Sequence, residues 1–594
     1  MTLENARKLW LAALALVVAV PGALSPLPAQ EPPPSFGERV EVEVVNVDVV
    51  VTDGAGRRIT DLLREDFRLE VDGKPVAIDY FAPPGARKPA AAPSADDTAP
   101  EAVDLSRANL FVFVDQSALE WRTSREILDQ VKAFVLPRTG GSERIMIAAF
   151  AENLRILSPP TADRARIEQA FAELEKLRGR GSLVAAERGQ LEREVRANGR
   201  PRAQIEVSNL PDSGLPEGAT QAARVAGQDA TDTANLRLQV ESYGEQQIDR
   251  QARAIAALRE WIGGLAAIDG RKSVLFASAG FTSQPDAFLT SFLDQKRGGG
   301  PAGQTQSSRI GTARLTMLDD FERAVRAAEN ARVAFYTISP REAPSASSSA
   351  EYTSSGADST APPPRDPAIA EAASSLPRLA GATGGEALFL DEGLSDRLSG
   401  VADDAAASYS LGFTTTDAAG SADHVIQVFT QDEELTVRHR ESFRRSSLAE
   451  RAEAALVAAA TFETTVNPLA MRLELGAPLP EDKKGKEARV PILVRIPLAL
   501  VGLLPDGAAG DRRAARLTAR VAVLNEAQHI RLGESAPIAI SIPAADLEKA
   551  LGSFWAYRAE VMVGRGKQRV AVVVSDEIAG TVSTLTATVE RPAE

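Results

Sequence analysis

Residues 108–117 read Ala-Asn-Leu-Phe-Val-Phe-Val-Asp-Gln-Ser. The nearly unbroken apolar run over 108–114 is what a central parallel strand buried on both faces requires. Downstream, Ile127, Leu128, Val131, Phe134 and Val135 fall on one helical face, so a helix follows the strand. Residues 145–150 supply another buried strand, and Ile167, Phe171, Leu174 and Leu177 mark a second helix. Ile255, Leu258, Ile262 and Leu265 mark a third, leading across Asp269-Gly270 into a strand at 273–277. Leu318, Phe321 and Val325 mark a fourth, ahead of a strand at 333–338; a helix over 367–379 precedes strands at 386–390 and 409–413. Strand and helix alternating this often predict a doubly wound α/β sheet, with helices on both faces, over 106–445.

Composition narrows the function. The chain has 594 residues, 44% of them hydrophobic and 25% charged, with a net charge of -14, no cysteine and 3 histidines. That length implies several domains, and the balance excludes wholesale disorder or a polytopic membrane protein. Net negative charge opposes general attraction to nucleic acid or anionic lipid. Without cysteine there are no disulfides, thiolate zinc sites or cysteine nucleophiles. The chain contains no GxSxG, HExxH or phosphate-loop pattern. His424 and His439 alternate with valines in strand-like stretches and His529 lies beside a turn, so all three read as sheet or surface positions. The pairs Asp319-Asp320 and Asp403-Asp404 are adjacent on helices and diverge, so neither makes an acid/base couple. A binding or structural protein is expected rather than an enzyme.

The flanks have their own grammar. Arg7 and Lys8 precede an apolar run at 9–20, then Pro21-Gly22 and small residues to Ala29 and Gln30. This is the layout of a secretory signal peptide over 1–30, since a membrane-spanning helix needs about 20 apolar residues. Cleavage near Ala29 or Gln30 is expected, giving a secreted or periplasmic protein with no transmembrane span. Residues 38–82 read as a small β domain, with Val45, Val47, Val49 and Val51 alternating and hairpin turns at Asp53-Gly54 and Asp72-Gly73. Pro- and Ala-rich residues 83–105 read as a linker. Inserts are expected at 178–245, 295–312 and 341–366, the first helical at its start and disordered around 211–230. Over 446–594 the helices give way to alternating strands, including Val490, Ile492, Val494, Ile496 and Val570, Val572, Val574. They predict a two-sheet β-sandwich of immunoglobulin-like type.

A buried strand ending in Asp115-Gln116-Ser117 and followed by an amphipathic helix resembles the first strand of a von Willebrand factor A (VWFA) domain. The wider pattern resembles the VWFA-related proteins of acidobacterial type. It includes Val51-Thr52-Asp53, Glu65-Asp66-Phe67, Asp72-Gly73-Lys74, Gly270-Arg271-Lys272, Thr383-Gly384-Gly385 and Tyr409-Ser410-Leu411-Gly412-Phe413, over roughly 40–445. The resemblance implies a Mg²⁺ site at the sheet's rim built from DxSxS, a later Thr and a later Asp. Asp115 and Ser117 match the first two positions, Leu119 stands where the second serine belongs, and Ala279 stands where the Asp belongs. The Thr is unassigned; Thr220, Thr231 and Thr233 all fall in the insert. One carboxylate and one hydroxyl make at most a weak, millimolar Mg²⁺ site, so no metal or cofactor is expected. The alternative role for Asp115 and Ser117 is to cap the turn and helix that follow. The crevice at strand C-termini is still where such sheets present ligands. Asp115, Ser117, Trp121 and Ser278 are therefore the expected partner-binding residues, the partner being a protein or cell-envelope surface. Metal-dependent adhesion, or an extracytoplasmic hydrolase using Asp115 and Ser117, is the competing expectation.

Overall fold

The computed structural model describes residues 43–85, 108–177, 179–199, 217–295, 308–340, 367–415, 422–480, 487–506 and 511–591. The expected signal peptide, most of the 83–105 linker and the insert at 341–366 lie outside them. Among the described residues no helix is long and apolar enough to cross a membrane.

The central sheet has six strands in the order Glu386–Phe389, Val333–Ser339, Arg271–Ala277, Ala108–Asp115, Arg144–Phe150, Leu154–Thr161. All neighbours are parallel except the last pair, which is antiparallel. Strand periodicity sends Phe111 and Phe113 to one face and Leu110, Val112 and Val114 to the other. The first pair joins a core with Trp261, Phe321, Leu376 and Leu379 from the helices Glu217–Leu265, Ser308–Asn330 and Pro367–Ala382. The second set packs under Ile127, Phe171 and Leu398 from Trp121–Val135, Arg164–Lys176 and Leu394–Ala406. The doubly wound α/β expectation holds. The chain leaves Ala108–Asp115 toward one side of the sheet and returns on the other, so the switch point falls at Asp115.

The small β domain expected over 38–82 is not self-contained. Its strands pair with residues assigned above to the α/β region. One four-stranded sheet runs Thr436–Arg438, Glu43–Thr52, Tyr409–Thr415, Tyr80–Ala82; the other runs Ser442–Phe443, His424–Thr430, Phe67–Val71, Lys74–Val76. Val45, Val47, Val49 and Val51 share one core with Tyr409, Leu411, Phe413, Ile426 and Val428. The expected central-sheet strand at 409–413 therefore belongs here. The reason is physical: the first four strands alone expose an apolar face that only the later strands cover. The α/β region is thus inserted between the halves of a β-sandwich. Asp72 and Gly73, both at positive φ, form the expected two-residue hairpin turn.

The insert is also more structured than its polarity suggests. Helices Gly181–Gly199 and Glu217–Leu265 run through it, and its expected end at 245 falls inside the second. Leu191, Val195, Leu236, Val240 and Tyr243 make a small core with Leu289 and Leu293. A narrow apolar stripe suffices there because it is shared between helices.

Past 446 the chain first forms the helix Leu448–Phe462, started by a Ser447/Glu450 capping box. Ala458 and Phe462 enter the α/β core beside Trp261, while Ala452, Leu456, Ala459 and Ala460 pack on Ala522, Leu524, Ala571 and Val573. Two packed sheets follow. Val490, Ile492, Val494 and Ile496 of one meet Leu517, Ile540, Val570, Val572 and Val574 of the other.

Candidate functional site

The C-terminal end of Ala108–Asp115 brings together the residues singled out in the sequence. Asp115 Oδ1 accepts from the Ser117 backbone N–H at 3.1 Å and from Ser117 Oγ at 2.6 Å; Oδ2 accepts from Ser278 Oγ at 3.0 Å. Ser278 Oγ in turn accepts from the Gly280 N–H at 3.2 Å. Asp115 is only 2% exposed, and Ser117 and Ser278 are buried with it. Desolvation lifts the Asp115 carboxyl above its ordinary range against the hydrogen bonds that pull it down.

Two glycines of a distant segment seal this corner. A Cβ at Gly179 would overlap the Gln116 carbonyl, and one at Gly181 would overlap the Leu119 carbonyl, so the entry to the insert lies directly against the 116–119 loop. Ser182 Oγ accepts from the Trp121 N–H at 3.0 Å. On the other side, the loop after Arg271–Ala277 is pinned by Glu371. Its Oε2 accepts from Thr282 Oγ1 at 2.8 Å and from the Ser283 N–H at 3.0 Å, and its Oε1 from Ser283 Oγ at 2.7 Å. Glu371 gave no signal in the sequence, being one acid in an alanine-rich helix.

These facts correct the expected docking surface. Asp115, Ser117 and Ser278 satisfy one another beneath a cap and cannot touch a macromolecule without its removal. Trp121 does lie at the surface, 42% exposed. The donor set does not fit a divalent cation: Leu119 is buried in the core, Ala279 packs beside it with no donor, and both Asp115 oxygens are engaged by hydroxyls. Thr231 and Thr233 lie on the long insert helix, and the Thr220 side chain is outside the described residues. Among the described residues no group of three or more His, Cys, Asp or Glu converges as a metal site.

The sign of the Asp115 shift gives a test. Its folded pKa lies above the ordinary 3.8, so the folded state holds this proton to higher pH than the unfolded chain does. That contribution is complete below the unfolded value and lost as pH rises through the folded one. Asp115→Asn keeps an acceptor for Ser117 and has nothing to ionise. Its stability relative to the parent is expected to improve as pH rises above the ordinary carboxyl value of 3.8, read as denaturation midpoints; a variant that loses ground as pH rises would contradict the burial argument.

Sequence reading gave no role to Asp404, whose carboxylate joins two regions of the fold. It is fully buried, with Oδ1 accepting from Arg58 Nε at 3.0 Å and Oδ2 from Tyr336 OH at 3.0 Å and Arg438 Nη2 at 2.6 Å. Arg58 and Arg438 come from the inserted-into β-sandwich, Tyr336 and Asp404 from the α/β region. His424 pairs with Asp72 at 2.9 Å, and His439 accepts from the Val428 N–H at 3.2 Å, both in sheet roles.

No family model matches the chain, and no curated protein does. Among solved structures it is similar to a von Willebrand factor type A protein from Catenulispora acidiphila, at 9% identity and a TM-score of 0.20, covering 82% of this chain and 67% of that one. It is also similar to an aerotolerance-related membrane protein from Bacteroides fragilis, at 10% identity and a TM-score of 0.20, covering 50% of this chain and 98% of that one. The conserved hypothetical protein BatB from Bacteroides thetaiotaomicron matches at 9% identity and a TM-score of 0.17, covering 50% of this chain and 99% of that one. The α/β assignment rests on the strand order and the two cores above.

Proposed function

We propose that this chain is an exported, non-enzymatic protein with a VWFA-related α/β domain, which binds other proteins at the cell envelope without a divalent ion. The sealed, self-satisfied corner at Asp115 supports metal independence. One observation carries the interaction reading, two exposed aromatics at one end of the C-terminal sheets, one on each face of their strand. Phe554 and Trp555, at 48% and 37% exposure, pair with Pro497 and Ile496 on the neighbouring strand. Leu551 lies just before them and Leu500 just past the partner strand, both exposed, and the Ser553 carbonyl accepts from the Leu498 N–H at 3.1 Å. Exposed aromatic anchors of this kind are enriched at protein interfaces. Trp121 provides a second exposed anchor. The competing reading, metal-dependent adhesion or hydrolysis through Asp115 and Ser117, requires that corner to be opened to solvent.

A photo-crosslinking residue placed at Trp555 is expected to capture a discrete protein from envelope fractions, with equal yield in Mg²⁺ and in EDTA. Capture that vanishes in EDTA would favour the metal-dependent reading. Capture at Trp121 alone would move the docking surface to the sheet's rim, and none at either position would overturn the proposal.

A further inference from the structure

The opposite, N-terminal end of the central sheet holds an unusual concentration of positive charge. Where the strand Glu43–Thr52 meets Arg271–Ala277 and Val333–Ser339, a cavity of about 30 Å³ is lined by Asp48, Arg271, Lys272, Arg332, Thr383 and Arg440, among others. That is enough for one small ion or a water or two.

The cations there are poorly partnered. Arg440 is only 9% exposed, and its two terminal nitrogens donate to backbone carbonyls, of Glu329 at 3.0 Å and Asn46 at 2.9 Å. Its Nε, and Nε and Nη1 of Arg271, are buried with no hydrogen-bond partner among the described residues. Lys272 Nζ donates to the Ile268 carbonyl at 2.7 Å. Only Arg332 reaches the lining carboxylate, Asp48, at 3.4 Å. Asp269 and Glu329 lie close enough to act on Lys272 and Arg440, yet even with both counted four basic side chains face three carboxylates, 4 - 3 = +1 while Lys272 is protonated. Buried donors left unpaired cost about 1–3 kcal/mol each, more when charged, and an anion is the species that satisfies several at once.

We propose that this cavity is a binding site for a single halide-sized inorganic anion, held by Arg271, Lys272, Arg332 and Arg440. The site does not depend on the interaction proposed above. The small space suits a small monovalent ion, and Asp48 limits the net attraction to one negative charge. The ion would lock the inserted α/β region to the sandwich, because Asp48 and Arg440 come from the latter and Arg271, Lys272 and Arg332 from the former. The occupied site has a pH signature. Burial, followed by Arg332 and Arg440, pushes Lys272 down to about 7, with Asp269 and Asp48 acting the other way. An anion favours the ammonium form, so binding takes up a proton, and affinity falls as pH rises through about 7.

Crystals of the full chain soaked in bromide are expected to show an anomalous peak between the four cations. Thermal unfolding of the same protein in sodium chloride is expected at a higher midpoint than in sodium gluconate of equal ionic strength, with the gap narrowing as pH rises. Arg271→Gln, at a half-buried position, should fold and lose most of the chloride gap; Lys272→Met is the second variant. Absence of the bromide peak from the parent protein overturns the proposal whatever the variants do. So does a chloride gap that survives unchanged in Arg271→Gln, or phosphate binding as tightly as bromide.

Discussion

Asp404→Ala is expected to destabilise the protein by about 3–5 kcal/mol, the cost of removing one partner from a buried ion network. The carboxylate is fully buried, and the substitution strands Arg58, Arg438 and the Tyr336 hydroxyl together. Arg438 retains the Gly385 carbonyl at 3.2 Å and a looser pair with the exposed Glu386 at 3.6 Å, and Arg58 retains the Gly400 carbonyl at 2.9 Å, but none of these replaces a fully buried carboxylate. Asp404→Asn should fall between, keeping an acceptor while losing the charge. Denaturant unfolding followed by intrinsic fluorescence reads both, and a loss below about 1 kcal/mol, the scale of an exposed pair, would mean the two arginines find other counter-charges.

Trp261→Ala is the second large effect, expected at about 3–5 kcal/mol. The indole is 1% exposed and packs on Phe113 at 4.9 Å and Phe111 at 6.3 Å between ring centroids. It stands where the sheet, the long helix and the helix Leu448–Phe462 meet, beside Phe462. A Cβ at the neighbouring Gly264 would overlap the Phe462 ring, which shows how closely the two helices approach. The cavity left by alanine is too well braced to collapse. Trp261→Phe should cost less, because the indole N–H has no acceptor among the described residues and only volume is lost. Equal midpoints for Trp261→Ala and the parent would show that the helix Leu448–Phe462 is not docked there.

The central sheet was legible because period-2 and period-3.6 patterns are local. The residues from Leu110 to Val114 declare a strand buried on both faces, and Ile255, Leu258, Ile262 and Leu265 declare a helix, without knowledge of any partner. Pairing is not local. Val45 to Val51 announce a strand, but nothing in them says that the strand beside it is Tyr409–Thr415. Asp404 looks like one of many helical acids until Arg58 and Arg438 are brought to it. The place of Asp115 at the end of a buried strand was readable. Its burial was not, because the cap depends on Gly179 and Gly181, two small residues at the edge of a polar insert.

The nesting of the α/β region within the β-sandwich sets a timetable for biogenesis. As the chain emerges, the strands from Glu43–Thr52 to Tyr80–Ala82 must wait for Tyr409–Thr415 and its successors before their hydrogen-bonding edges are met. During that interval they are unpaired edges of the kind that invites aggregation. A holdase that shields nascent β-edges, or rapid folding of the intervening α/β region to draw the two halves together, would shorten the exposure. Yield should therefore be more sensitive to the speed of synthesis than final stability suggests.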